Sequence, residues 1–145
     1  MTLLEGMRTH LAESHAVVEL VGRKVFGEKA DQWAKRPTII YTQAGGDEPG
    51  HLRGTSGKAR AQVQLDYWSD DEAQAERIAE AVRNSLHTFL GEGSGRMGDV
   101  KVRSCRLLSG PTSGWVNRED GSDVGAFRLS VVYHFWYSVL EPVGT

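Results

Sequence analysis

Apolar residues at the start of the chain recur at three- and four-residue intervals, through Leu3, Leu4, Met7, Leu11, Val17, Val18 and Val21. That spacing predicts a helix, continuous or broken where Ser14 and His15 interrupt the stripe, and stopped by Gly22. Arg23 to Phe26 then leads into a polar segment that ends at Pro37. The run Thr38-Ile39-Ile40-Tyr41-Thr42 is β-branched and aromatic and predicts a buried strand. Glycine-rich Ala44 to Gly57 shows no periodicity and predicts a loop. Beyond it the pattern switches to period two. Ala59, Ala61, Val63, Leu65 and Tyr67 face one way and Lys58, Arg60, Gln62, Gln64 and Asp66 the other, which predicts a half-buried strand.

Ser69-Asp70-Asp71-Glu72 has the form of a capping box, with carboxylates placed at the positive end of a helix dipole. The stripe Ala75, Ile78, Ala79, Val82, Leu86 and Phe89 predicts the helix itself, ended by the glycines from Gly91. Val100 to Leu108 and Ala126 to Val139 read as the two strands of a hairpin, with Ser109 to Gly125 between them as a long loop that has room for short extended pieces of its own. In the last strand Phe127, Leu129, Val131, Tyr133, Phe135 and Tyr137 share one face. Its other face holds Arg128, Ser130, Val132, His134 and Trp136, too apolar and aromatic for a surface that meets only water, and so points to a partner. The element order predicts an α+β fold: a mainly antiparallel sheet of about four strands, two helices packed on one face and two long loops.

With 145 residues and 16.0 kDa, the chain is expected to form a single domain, residues 1–145, around one core. A net charge of −2, from 17 basic and 19 acidic residues, gives no footprint for nucleic acid over the whole surface, although a local basic patch stays open. Cys105 is the single cysteine, so no intrachain disulfide can form and an intracellular origin is expected. The first residues lack the apolar core of a signal peptide, and no apolar run approaches the roughly 20 residues that span a bilayer, so no membrane partner is expected.

The chemistry-bearing residues do not converge on a reaction. His10 and His15 lie five apart, a spacing that does not put two ligands on one helix face. Cys105 sits in a strand pattern with no thiol-enzyme motif around it. Asp70, Asp71, Glu72 and Glu76 are accounted for by capping, and Asn117 to Asp123 by turn chemistry. Neither glycine-rich stretch has phosphate-loop spacing. No catalytic residue, metal or cofactor is therefore expected. His51, Arg53, Lys58 and Arg60 give the first loop and the strand after it a positive bias that would suit DNA phosphates or an acidic protein surface. Trp115 and Arg118 are residue types enriched at interface hot spots. With Arg128, His134 and Trp136, these are the candidate assembly-interface residues.

Four segments carry a resemblance over nearly the whole chain. They are LLEGMRTHLAESHAVVELVGRKVF, with its V-G-x-x-V-[FY] ending; PTIIYTQAGG; RAQVQLDYWSDDEAQAERIAEAVRNSL; and the aromatic finish FRLSVVYHFWYS. In this order and at these separations, the chain resembles the tail-completion, or tail-terminator, family of siphophages, prophages and gene-transfer agents. The resemblance implies a non-enzymatic subunit of a homo-oligomeric ring, hexameric in characterised members. That ring caps the tail tube, ends tube polymerisation and docks the head connector. The implied partners are the tail tube protein and a head-tail connector or stopper, with transient contact to DNA passing through the channel. The implied place is the virion tail or neck, after assembly in the host cytoplasm. The segment SGPTSGWVNREDGSDVG is longer than a minimal member requires. Another head-tail connector, and a small ligand-binding domain, are the alternative readings.

Overall fold

The computed structural model describes residues 2–27, 37–46, 58–90, 95–117 and 125–138. In chain order the elements are α1 (Leu3–Glu13), α2 (His15–Val21), β1 (Val25–Gly27), β2 (Thr38–Gly46), β3 (Lys58–Ser69), α3 (Glu72–Ser85), β4 (Gly95–Met97), β5 (Val100–Asn117) and β6 (Gly125–Ser138). The six strands form one sheet in the order β1-β2-β3-β6-β5-β4. All neighbours are antiparallel except β1 and β2. The fold is α+β as the patterning predicts. Three helices and six strands of mixed direction replace the two helices and about four antiparallel strands expected from element order. The two unforeseen strands, β1 and β4, are three residues each, too short to leave a periodic signal.

The first helical stripe divides where its apolar rhythm fails. Thr2 caps α1 by accepting the Glu5 N–H at 3.1 Å. Ser14 is extended, at φ −80° and ψ 112°, and separates α1 from α2. Gly22, at φ +62°, ends α2. The α1 backbone passes so close to the β4–β5 turn that a Cβ added at Gly6 would lie 2.5 Å from the Met97 carbonyl oxygen.

The start of α3 corrects the capping-box expectation. Ser69 is still in β3, paired with Phe127 and fully buried, and is not the N-cap. Asp71 is the N-cap and accepts the Gln74 N–H at 2.7 Å, while Ser69 Oγ donates to the Asp71 carbonyl. The helix ends at Ser85, and Leu86 and Phe89 reach the core from the turn that follows.

Both predicted loops shrink. Ala44 to Gly46 belong to β2, with a register shift between Gln43 and Gly45, and Ser109 to Asn117 belong to β5. The remainder of each, 47–57 and 118–124, lies outside the described residues, as does Val139. Glycine and proline at Gly110-Pro111 argue against a strand, yet β5 accommodates them for two reasons. Its register shifts there, and beyond Val102 it lies outside the β4 pairing, where the N–H missing from proline breaks no ladder. Gly110 has φ +95°, and a Cβ on it would meet the Ser130 carbonyl at 2.7 Å.

All three helices lie on one face of the sheet. There α1 reaches from β1 to β4, α2 packs on α3, and α3 packs on β3 and β6. The core face of β3 is Ala59, Ala61, Val63, Leu65 and Tyr67, and that of β6 is Leu129, Val131, Tyr133, Phe135 and Tyr137. A second, small cluster of Ile40, Trp68 and Ala126, with Val116 against it, covers part of the opposite face. Cys105 is fully buried opposite Phe135, and burial pushes its thiol up to about 12.

Replacing Gly6 with alanine is expected to lower stability by roughly 1–3 kcal/mol through overpacking against Met97 and Val100. The urea midpoint measures this, and an unchanged midpoint would show that α1 is not pinned there. Cys105 is expected to resist thiol reagents in the native state at about pH 8 and to react once the chain is unfolded. Labelling of native protein as fast as that of unfolded protein would contradict the packing.

Candidate assembly interface

The face of the sheet away from the helices gathers four of the sequence-derived interface residues. Arg60 on β3 is paired with Trp136 on β6, and residues paired across strands point to the same face. His134 and Trp136, two apart on one face of β6, stack with ring centroids 4.1 Å apart and planes 18° from parallel. From β5, Arg106 is paired with His134 and holds its guanidinium 5.9 Å from the centre of the Trp136 ring. Toward the other end of β6, Arg128 lies 5.6 Å over the Trp68 ring. The two cation–aromatic contacts are eight strand residues apart, or about 27 Å. Each contributes on the order of 0.5–1 kcal/mol at an exposed site.

Lys58 begins β3, paired with Ser138. Trp115 lies on β5, opposite Phe127 and 55% exposed, and Gly125 leaves room for its indole. His51, Arg53 and Arg118 lie outside the described residues.

Charge on the strands is one-sided. Lys58, Arg60, Arg96, Lys101, Arg103, Arg106 and Arg128 are strand residues, and Asp66 is the one carboxylate on any of the described strands. Asp66 is already engaged, accepting from Gln64 Nε2 at 3.0 Å and from Ser130 Oγ. Arg103 donates from Nε to Ser138 Oγ at 2.8 Å. A chain with net charge −2 thus presents a cationic, aromatic sheet face, because its acids lie largely on helices and connections.

Sequence reading missed Arg106 and Trp68 as members of this face. Arg106 joins it only through the β5–β6 register, and Trp68 reads from sequence as a strand-end aromatic. On β5 it singled out Trp115 but missed Leu107 and Leu108. Of the four exposed large hydrophobic side chains among the described residues, Leu107 (38%), Leu108 (45%) and Trp115 belong to β5, and the fourth, Val18 (37%), to α2. On the helix side, Leu107 and Pro111 join Leu129, Val131, Tyr133 and α3 around a groove of about 430 Å³.

The titratable groups in the core serve packing. Burial, then Tyr133 and Asp66, push the Tyr67 phenol well above its ordinary value. Burial also raises Tyr133, with Cys105 adding to the rise and Arg83 opposing it. Both are neutral near pH 7, far from the range that suits a general acid or base. Among the described residues no three of His, Cys, Asp and Glu are placed to hold a metal ion.

Comparison with known proteins places this geometry. No curated protein matches the chain. A solved structure described as the virion of a native gene transfer agent (GTA) particle contains a chain with the same fold. It is similar at a TM-score of 0.65 and 14% identity, over 94% of each chain. The family model for tail completion protein gp17 matches residues 5–138, which takes in every described strand and nearly all of α1. The chain therefore belongs to the family of tail completion protein gp17.

Proposed function

We propose that this protein is one subunit of a ring that caps the head-proximal end of a phage-type tail tube, ends its polymerisation and gives the head connector a surface to dock on. The family match supports a structural role in the tail, and the fold is shared with a chain of a gene transfer agent virion. The observation that carries the reading is the β5 margin of the sheet. A long strand with Leu108 and Trp115 in solvent exposes its apolar side chains, and beyond Cys105, whose N–H donates to the Phe89 carbonyl, its backbone lies outside the pairing to β4 and to the bridge at Leu90. Such edges invite pairing or burial and are normally blunted with charge or covered. In a subunit built for assembly they are contact surface.

The mechanism in this reading is steric. A seated ring occupies the site where the next tube ring would add, and its other side fits the connector. Aromatic anchors supply most of the binding energy in such contacts. A stopper or other connector protein would use the same edges, so the distinction lies in what controls tail length.

The cationic sheet face favours a second element of the same reading: it is turned toward the channel, where it meets the phosphates of passing DNA. Arginine on aromatic rings remains available to phosphate, and the scarcity of strand carboxylates removes the repulsion that would oppose the contact.

Replacing both Leu108 with aspartate and Trp115 with alanine is expected to leave the fold intact, since both are exposed, and to yield overlong or headless tails in electron micrographs. Tails of normal length joined to heads would remove the edge from the account. Reversing Arg106 and Arg128 to glutamate is expected to leave tail length unchanged and to lower DNA delivery per physical particle. Unimpaired delivery would show that this face does not meet DNA.

A further inference from the structure

We infer that the two lateral sides of the subunit are complementary to each other: the corner around Val18 on one copy docks into the groove between α3 and β5 on the next. The inference rests on the ring reading and gives it a specific contact.

Position is the first argument. One cross-strand row runs Val25–Ile39–Tyr67–Leu129–Ser113 through β1, β2, β3, β6 and β5. Val25, at one end of the row, lines a concavity of about 410 Å³ formed with α1 and α2. Leu129 and Ser113, at the other end, line the groove of about 430 Å³ beneath α3. The two sites therefore lie at one height along the strands and at opposite ends of the row. Copies placed side by side at equal height bring one site against the other.

Chemistry is the second. At the first site Arg8 and Arg23 flank the exposed Val18. At the second, Glu76 and Glu80 stand over an apolar floor that includes Leu107, with Arg83 as the one cation. Among the described residues, none of Arg8, Arg23, Glu76 and Glu80 takes part in a salt bridge. Two-fold pairing through either site would set arginine near arginine or glutamate near glutamate. Head-to-tail pairing sets arginine near glutamate, with the apolar patches between them excluding water. Charge thus selects the heterologous contact, the kind that closes into a ring when the rotation allows.

The test uses the full chain carrying Val18→Cys or Leu107→Cys, with a short bis-maleimide, in the presence of tail tubes. Buried Cys105 does not compete. Each single variant alone is expected to give no dimer, an equal mixture to give one mixed dimer, and the double variant to give a ladder of linked copies on a denaturing gel. Adding Arg8→Glu and Arg23→Glu is expected to cut the yield at least about tenfold, and Glu76→Arg with Glu80→Arg to restore it. Dimers from either single variant alone overturn the inference. A ring mass without the mixed product also overturns it, while the ring reading stands. Monomers only, even with tubes present, overturn both.

Discussion

Pairing of β6 with β3 on one side and β5 on the other organises nearly everything else in the molecule. Side chains alternate along a strand, so a slip of one residue in either ladder would turn Leu129, Val131, Tyr133 and Phe135 out of the core and drive Arg128, His134 and Trp136 into it. Burial of four such side chains is worth on the order of 1.5–3 kcal/mol each, far more than any single surface contact could return. The register is thereby locked. With it come the position of Arg106 beside His134 and Trp136, and that of Arg128 over Trp68.

A locked centre leaves the work of association to the margins. On the β5 side, the strand runs on beyond the part that β4 covers, and it carries most of the large hydrophobic side chains exposed among the described residues. On the β1 side, α1 and α2 turn a corner whose exposed valine sits between two arginines. A rigid sheet with helices on one face, a cationic face opposite and unlike sides is suited to a place between neighbours on several fronts. Among the described residues, the groups whose titration is shifted are buried and held neutral.

Much of this was legible in the sequence where periodicity was long. The alternation along β3 and β6 and the stripe of α3 gave the core residues and the two faces, and the break at Ser14 marked the end of α1. Short strands left no trace, because three residues hold no period. Glycine and proline in β5 read as a loop, since sequence alone cannot show that a strand lies on an edge with a shifted register. The S-x-x-E form put the cap at Ser69, but Ser69 is held in β3 and Asp71 caps the helix. Of the interface candidates, Arg60, Arg128, His134 and Trp136 could be assigned to faces by alternation. Their cross-strand neighbours depended on registers that only the fold supplies.

Electron cryomicroscopy of tail tubes incubated with the purified protein tests the central claim most directly. The account predicts a closed ring of this protein at one end of each tube, with the tubes no longer extending when more tube protein is added. Decoration along the tube wall, or tubes that keep growing with the protein bound, would contradict it.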